Sequence, residues 1–303
     1  MPELPDIELY CTHLRRRIEG ERLERVRVAS PFLVRTFEPR LEAVQGKRVL
    51  SVRRLGKRIV LGLEDELFLV VHLMIAGRFR WRERGAAVPK KVGLAAFDFQ
   101  SGTLLLTEVA TKKRASLHVV LGETALRGLD PGGIDPLHCD LSAFKAAILQ
   151  GNHTLKRALT DPHLLSGIGN AYSDELLHRA RLSPVRVVSK LSEAEMATLL
   201  QATRDTLLEW TKRLVEEQKD EFPEKVTAFR EGMRVHGRYG KPCPECGAPV
   251  QRIRYAENEA NYCARCQTGG KLLADRALSR LLKGDWPKSL EAMEEHLEAR
   301  RKS

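Results

Sequence analysis

Met1-Pro2-Glu3-Leu4-Pro5-Asp6 opens the chain, and the reading of the remaining residues depends on what these six do. A proline in second place lets an aminopeptidase trim Met1, which leaves a chain-terminal secondary amine with no flexible stem beside an acidic side chain. An α-amine titrates at roughly 7.7–8.0 against roughly 10.4 for lysine, so more of it is unprotonated at neutral pH and able to attack a carbonyl. Condensed with an aldehyde, it becomes an iminium that acidifies the neighbouring C–H and permits elimination, with Glu3 placed to donate or accept the proton. A frayed terminus is the commoner fate of such a start. The next dozen or so residues argue against fraying: Ile7, Tyr10, Leu14 and Ile18 fall on one helical stripe with Arg15, Arg16 and Arg17 largely off it, predicting an amphipathic helix that ends at Gly20. Such a helix pins the amine to a core, and a nucleophile gains its advantage from being held in place.

From Leu23 to Leu121 the pattern changes to short apolar runs. Val26 and Val28, Val49 to Val52, Ile59 to Leu63, Leu67 to Met74, Leu94 to Phe99 and Leu104 to Leu106 read as strands, with Gln100-Ser101-Gly102-Thr103 as a hairpin turn. Many short strands predict a sandwich or barrel. Among them Arg53-Arg54-Leu55-Gly56-Lys57-Arg58 sets four cations at a turn, a pattern that a solvated loop and a phosphate site explain equally well.

Asp130-Pro131-Gly132-Gly133-Ile134-Asp135-Pro136 is too rich in proline and glycine for a regular element and marks a domain boundary. Helical patterns follow over Leu141 to Leu149, Thr154 to Leu159, Ala171 to Ala180 and Ser192 to Val215, the last opened by a Ser192 and Glu195 capping box. Between the second and third, Gly167-Ile168-Gly169-Asn170 brings backbone amides, a helix dipole and a side-chain donor together, which suits a phosphate. On spacing alone, a helix C-cap accounts for these glycines better.

Cys243-Pro244-Glu245-Cys246 and Cys263-Ala264-Arg265-Cys266 have the spacing of a four-cysteine zinc ribbon. Four thiolates close a tetrahedron and leave no open position, so the zinc is structural, one per chain, standing in for a core that so few residues cannot build. The tail beyond, through Asp285-Trp286-Pro287 to Glu291-Ala292-Met293-Glu294, predicts an acidic helical end with no assignable chemistry. Across 303 residues, 43% hydrophobic content with no membrane-length apolar run predicts a soluble protein with no membrane partner, and the acidic, proline-bearing start predicts no secretory leader and a cytoplasmic, nucleoid-associated location. A net charge of +11 favours a polyanionic partner, because each phosphate neutralised releases counterions.

Taken together and in this order, the motifs resemble the formamidopyrimidine-DNA glycosylase and endonuclease-eight family of bacterial-type base-excision repair enzymes across roughly residues 1–268, closer to the formamidopyrimidine branch because Leu4 stands where the other branch usually has glycine. Lys57 in Gly56-Lys57 is similar to the family's phosphate-contacting lysine, and His72-Leu73 with Gly77-Arg78 to its His-Leu-Gly-Met-Ser-Gly strand. Asn152, Lys156 and Gly167-Ile168-Gly169-Asn170-Ala171-Tyr172 resemble its helix-two-turn-helix, and His236 to Cys243 the lead into its zinc finger.

The resemblance implies an α+β multidomain fold: an N-terminal β-sandwich catalytic domain with an N-terminal helix over 1–130, a helical helix-two-turn-helix domain over 137–235, a C-terminal zinc ribbon over 236–268 and an extension over 269–303. It implies a monomeric, bifunctional glycosylase and abasic-site lyase acting on double-stranded DNA that contains oxidised bases, chiefly purines, or abasic sites. Pro2, Glu3 and Lys57 are its catalytic residues; His72, Lys113, Arg114, Lys156, Gly169 and Asn170 bind DNA; Cys243, Cys246, Cys263 and Cys266 hold zinc.

Four positions depart from the pattern. Asp6 replaces a usual glutamate and reads equally well as a helix N-cap. Ile75 replaces the methionine that fills the gap left by a flipped base, Ala115 falls in a stretch lacking the family's wedge phenylalanine, and Asn258 replaces the finger arginine that grips phosphate. A damage- or junction-binding protein on the same scaffold, with little turnover, is therefore the alternative.

Overall fold

The computed structural model describes residues 1–255, 258–273, 287–293 and 295. The opening helix, α1 (Leu4–Ile18), buries Leu4, Ile7, Leu9, Tyr10, Leu14 and Ile18 completely. Arg15, Arg16 and Arg17 fill its last turn, where cations meet the negative end of the helix dipole, and Gly20 turns the chain away at φ 88°.

Eight strands follow among the described residues: β1 (Arg25–Val28), β2 (Val49–Leu55), β3 (Arg58–Leu63), β4 (Leu67–His72), β5 (Gly77–Arg82), β6 (Gly93–Asp98), β7 (Thr103–Glu108) and β8 (Ser116–Leu121). They form two four-stranded antiparallel sheets, ordered β1-β6-β7-β5 and β2-β3-β4-β8, which are the layers of the sandwich. The turn at 100–102 closes as expected, Phe99 donating to the Gly102 carbonyl at 2.8 Å. Glycine is required there, since a Cβ would lie 2.6 Å from the Trp81 ring.

Apolar runs reveal neither β5 nor β8. In β5, arginines 78, 80 and 82 alternate with Phe79 and Trp81, so only every second residue is apolar and the run never becomes continuous. In β8 a histidine interrupts the run. A short helix, α2 (Gly122–Arg127), carries no periodic signal either, and β4 stops at His72 rather than Met74, which sits at φ 52°.

The chain forms two compact units, residues 1–132 with 207–228, and residues 133–206 with 229–303. The step at Gly132 and Gly133 falls within the proline- and glycine-rich stretch. Residues 207–228, at the end of the helical stretch, make their contacts with the sandwich unit. Phe222 packs 5.9 Å from the Tyr10 ring, Arg78 Nε donates to the Val226 carbonyl at 2.6 Å, and Arg82 pairs with Glu224.

The second unit carries α3 (Leu141–Ile148), α4 (Leu155–Thr160), α5 (Asn170–Arg179) and the start of α6 (Glu193–Glu217). Asp140 caps α3 by accepting from the Ala143 amide at 2.7 Å. The capping box of α6 is present in both arms, Ser192 N–H to Glu195 at 2.9 Å and Glu195 N–H to the Ser192 hydroxyl at 3.3 Å. The ribbon follows: β9 (Val250–Tyr255) pairs antiparallel with β10 (Asn258–Cys263), and α7 (Ala264–Thr268) succeeds them. Its small core of Val235, Val250, Ile253 and Tyr262 also receives Leu290 from the tail, anchored by the Leu290 amide donating to Gly270 at 3.1 Å. Asp285, Trp286 and Glu294 of the expected acidic end lie outside the described residues. Among the described residues no helix is long and apolar enough to cross a membrane.

Candidate active site

The first unit gathers the N-terminus, Glu3 and Lys57. Glu3 is the N-cap of α1 and only 3% exposed, with its amide donating to Asp6 Oδ2 at 2.8 Å. Asp6 is thus the third helical residue and the returning arm of a capping box, not the N-cap itself, and its buried carboxylate is spent on holding Glu3. Pro2 is buried one peptide inward from the chain-terminal amine. Burial lowers the pKa of that amine; the Glu3 carboxylate opposes this, Arg78 reinforces it, and Asp6 and Lys57 add smaller opposing and reinforcing effects. Lys57 sits at the tip of the β2–β3 hairpin, where Gly56 supplies the left-handed φ of 60° that the turn requires. Burial also pushes the Lys57 ammonium down, and Glu3 works against it. Two amines easier to deprotonate than usual therefore share one carboxylate.

His72 ends β4 next to this group. Burial first, then the Arg58 and Lys57 cations and, least, the His118 ring, push its pKa down to about 4, so it meets neutral pH as an uncharged imidazole. The turn after it is tight: Gly77 N–H bonds to the Leu73 carbonyl at 2.9 Å, a Cβ on Gly77 would strike that oxygen, and Ile75 is left 57% exposed.

Register pairs Gly77 with Glu108, so the loop over 109–115 leaves the same end of β5 and β7. The buried Glu108 carboxylate fastens that loop, accepting the amides of Arg114 at 2.9 Å and Ala115 at 3.1 Å, while the Lys113 ammonium bonds back to the Glu108 carbonyl. Of the two cations singled out in this loop, Lys113 is therefore folded inward and Arg114 is exposed with no side-chain hydrogen bond among the described residues. Ala115 is 3% exposed and cannot reach outward; the loop's exposed apolar side chain is Val109, at 70%. Spacing alone reveals neither Val109 nor the role of Glu108. A cavity of about 670 Å³ in this unit is lined by Arg17, Trp81 and Phe222 among others, and by none of Pro2, Glu3 or Lys57.

In the second unit, Gly167 (φ 85°) and Gly169 open α5, with Gly169 as its N-cap, whereas α4 has ended at Thr160. The C-cap explanation of these glycines is corrected: they free the amide end of a helix, not its carbonyl end. Asn170 Nδ2 donates to the Glu259 carbonyl at 2.9 Å. Lys156 Nζ is 12% exposed and already engaged, by the Asn170 carbonyl at 2.7 Å and by Asp174 Oδ1 at 2.5 Å. The other Asp174 oxygen meets His236 Nδ1 at 2.8 Å. Next door, Glu175 accepts the amides of Arg234, Val235 and His236 at 2.7, 2.9 and 2.8 Å. Burial pushes the Glu175 carboxyl up and these three bonds oppose it. Motif spacing does not point to Asp174 and Glu175; two adjacent acids on an otherwise buried helix face are the signal that could.

The four cysteines converge. Cys243 and Cys266 sulfurs lie 3.9 Å apart and those of Cys246 and Cys263 3.4 Å apart. A tetrahedral zinc with bonds of about 2.3 Å to sulfur needs edges of about 3.8 Å, so the donor set fits structural zinc. His178 of α5 brings Nε2 to 3.3 Å from Cys243 Sγ, and its nitrogen lies with the sulfurs of Cys243, Cys263 and Cys266 within 4.8 Å of one another. As a hydrogen-bond donor to a thiolate it orients that ligand from outside the tetrahedron.

Family models for the formamidopyrimidine-DNA glycosylase N-terminal domain, its H2TH domain and the zinc finger found in FPG and IleRS match residues 1–116, 133–217 and 240–269. A curated formamidopyrimidine-DNA glycosylase from Heliobacterium modesticaldum is 32% identical over 280 residues, covering 88% of this chain and 100% of that protein. The chain belongs to the formamidopyrimidine-DNA glycosylase family. A Mycobacterium tuberculosis formamidopyrimidine-DNA glycosylase-like protein is 42% identical over 158 residues, 52% of this chain and 96% of that protein. The solved Lactococcus lactis formamidopyrimidine-DNA glycosylase, bound non-covalently to DNA containing an abasic site, shares the fold at TM-score 0.77 and 24% identity, over 88% of this chain and 99% of that one.

Among the departures from the family pattern, the backbone of Asn258 pairs with Tyr255 at the start of β10. Its side chain lies outside the described residues, as does Glu257 beside it. Arg252, a candidate to compensate, stacks 4.1 Å from the Tyr239 ring and faces Glu259 at 3.7 Å.

Proposed function

We propose that this member of the glycosylase family excises oxidised bases, chiefly purines, from double-stranded DNA and cleaves the strand at the abasic site that results. Supporting the reading most directly is the buried Pro2 next to Glu3, one peptide inward from an amine on which Glu3, Arg78, Asp6 and Lys57 all act. With Met1 removed, the Pro2 nitrogen attacks C1′ of an extruded nucleotide, and the base departs with the bonding pair. Glu3 protonates the sugar-ring oxygen as the ring opens, leaving an iminium on Pro2. Loss of a C2′ proton then expels the 3′ phosphate, a second elimination expels the 5′ phosphate, and water releases the sugar remnant. Lys57, His72, Arg114, Lys113 and the amides at Gly169 and Asn170 hold backbone phosphates; Lys156 contributes chiefly by fixing Asn170 through its carbonyl. Zinc, bound by Cys243, Cys246, Cys263 and Cys266, takes no part in bond making. The net charge of +11, and cysteines that serve as zinc ligands or, at Cys11 and Cys139, as unpaired thiols, support a reducing, nucleoid-associated setting, and one chain carries every group invoked, so the reading is of a monomer.

Borohydride reduction of the iminium on abasic duplex DNA tests this reading: a covalent protein–DNA adduct is expected, and none should form with the amine blocked. A second reading, binding with little base excision, is favoured by Ile75 and by a loop whose exposed apolar side chain is only Val109. An abasic site has already lost its base and extrudes more cheaply, so weak wedges impair excision more than lyase chemistry. Single-turnover cleavage of abasic DNA is expected to outpace excision of oxidised guanine opposite cytosine, and equal rates would dismiss the second reading.

A further inference from the structure

Arg58, His72 and His118 project from one face of the β2-β3-β4-β8 sheet. Register pairs Arg58 with His72 and His72 with Ser116, while Val70 pairs with both Val60 and His118. Cross-strand partners share a face, and so do residues two apart along a strand. Farther along, the same face carries Val60, Val70 and Val120 beneath Leu126 of α2, so the basic group begins where the apolar cover ends. Arg35 joins it, its amide bonded to the Leu117 carbonyl at 2.9 Å beside His118.

None of these side chains has a hydrogen bond or ion pair among the described residues, and two nitrogens, Arg58 Nε and His118 Nδ1, are sealed from solvent without a partner. The acid that acts on Arg58 is Asp130, which is not paired to it and uses Oδ1 on the Gly132 amide at 3.0 Å. Burial first, then Arg58 and Arg35, lower the His118 pKa, in keeping with the strand register and with the Arg35 amide bonded beside it. Buried donors are satisfied in nearly all folded proteins, so two unpartnered nitrogens on one sheet face, among side chains with no other partner, point to an acceptor brought by a ligand.

We infer that Arg58, His118 and Arg35 form a second phosphate seat, for a DNA backbone phosphate beyond the one held by Lys57 and His72. The inference rests on the reading of the chain as a DNA-binding enzyme. A phosphodiester's two non-bridging oxygens offer about four lone-pair sites, fewer than the donors that Lys57, His72, Arg58, His118 and Arg35 bring together. Lys57 acts on the N-terminal amine whereas Arg58, His118 and Arg35 do not, as suits a seat for a phosphate other than the one beside the reacting sugar. A guanidinium suits this seat because it offers a planar fork to a phosphate.

Methylphosphonates, which remove the charge of one phosphate at a time, test the seat on duplexes carrying an abasic-site analogue. Wild-type affinity should fall at two phosphates of one strand, the Lys57→Ala protein losing sensitivity at one and the Arg58→Gln protein at the other. Arg58→Gln should weaken binding about ten-fold and reduce the salt slope by about one, on undamaged duplex as well. His118→Gln, a milder change, should share its methylphosphonate position with Arg58→Gln. Arg58→Gln affinity and slope equal to wild type would overturn the inference, as would Arg58-dependent binding of free inorganic phosphate or pyrophosphate with no methylphosphonate-sensitive position. Borohydride trapping, run in parallel, reports on the catalytic reading alone, because the slope on undamaged DNA needs no chemistry.

Discussion

In the ribbon, four sulfurs come from two stretches of four residues each, and local turns bring each pair together. The amine site draws on the start of α1 for the amine, Glu3 and Asp6, on the tip of the β2–β3 hairpin for Lys57, on the end of β4 for His72 and on the start of β5 for Arg78. One site is written in spacing; the other exists only after two sheets have formed. The first should therefore fail as a unit when a single ligand is lost, whereas the second should lose function by degrees while its scaffold stands.

The largest effect expected is on the ribbon. Cys246→Ser should release zinc and unfold the ribbon, because binding worth roughly 10–16 kcal/mol is also its folding energy. DNA binding should be lost while hydrogen exchange in the sandwich strands stays protected. Metal analysis finding no zinc in the wild type, with DNA binding intact, would end the contrast.

Next comes the nucleophile. Blocking the amine in a Pro2→Ala protein should abolish trapping, whereas Lys57→Ala should only slow it; the opposite pattern would make Lys57 the attacking group. The pH profile separates them further. Attack needs the unprotonated amine, so trapping rises with pH; burial lowers the pKa of the Met1 amine, and the Pro2 amine that trimming leaves in the same surroundings is expected to shift the same way. The Lys57 cation contributes to the lowering, so Lys57→Ala should move the midpoint up; Glu3 raises it, so Glu3→Gln should move it down.

A buried carboxylate stripped of its cation costs roughly 3–5 kcal/mol, so Lys156→Met should destabilise the second unit to urea by about that amount, less whatever His236 supplies to Asp174. Adding Asp174→Asn should recover part of the loss. If Lys156→Met instead left stability unchanged and only flattened the salt slope, Lys156 would be a direct phosphate contact.

Glu108→Ala should cost about 2 kcal/mol for the buried amides left unpaired and loosen the 109–115 loop, seen as faster exchange at Arg114 and Ala115. Smallest of all, Arg114→Ala should lower the salt slope of DNA binding by about one without touching stability. An unchanged slope would return Arg114 to the solvated surface.

Much of the fold is legible in the residues wherever the signal is periodic or spaced. The stripe of α1, the continuous runs of β3 and β7, the α6 capping box and the two cysteine pairs each state their structure within a few residues. β5 is hidden because its arginines alternate with its aromatics, and nothing local shows that Phe222 packs on Tyr10.

By itself, the order of residues determined the amphipathic entry helix, the strand-rich N-terminal half, the zinc tetrahedron and the family, because those depend on side-chain period and on ligands a few residues apart. Only the tertiary structure decided that Asp6 returns to Glu3 rather than capping the helix, that Lys156 is tied to Asp174, and that Arg58 and His118 stand together unpartnered. These outcomes rest on burial and on pairs separated by many residues. The desolvation that lowers an amine's pKa or strands a guanidinium is created by the packed core and has no counterpart in the extended chain.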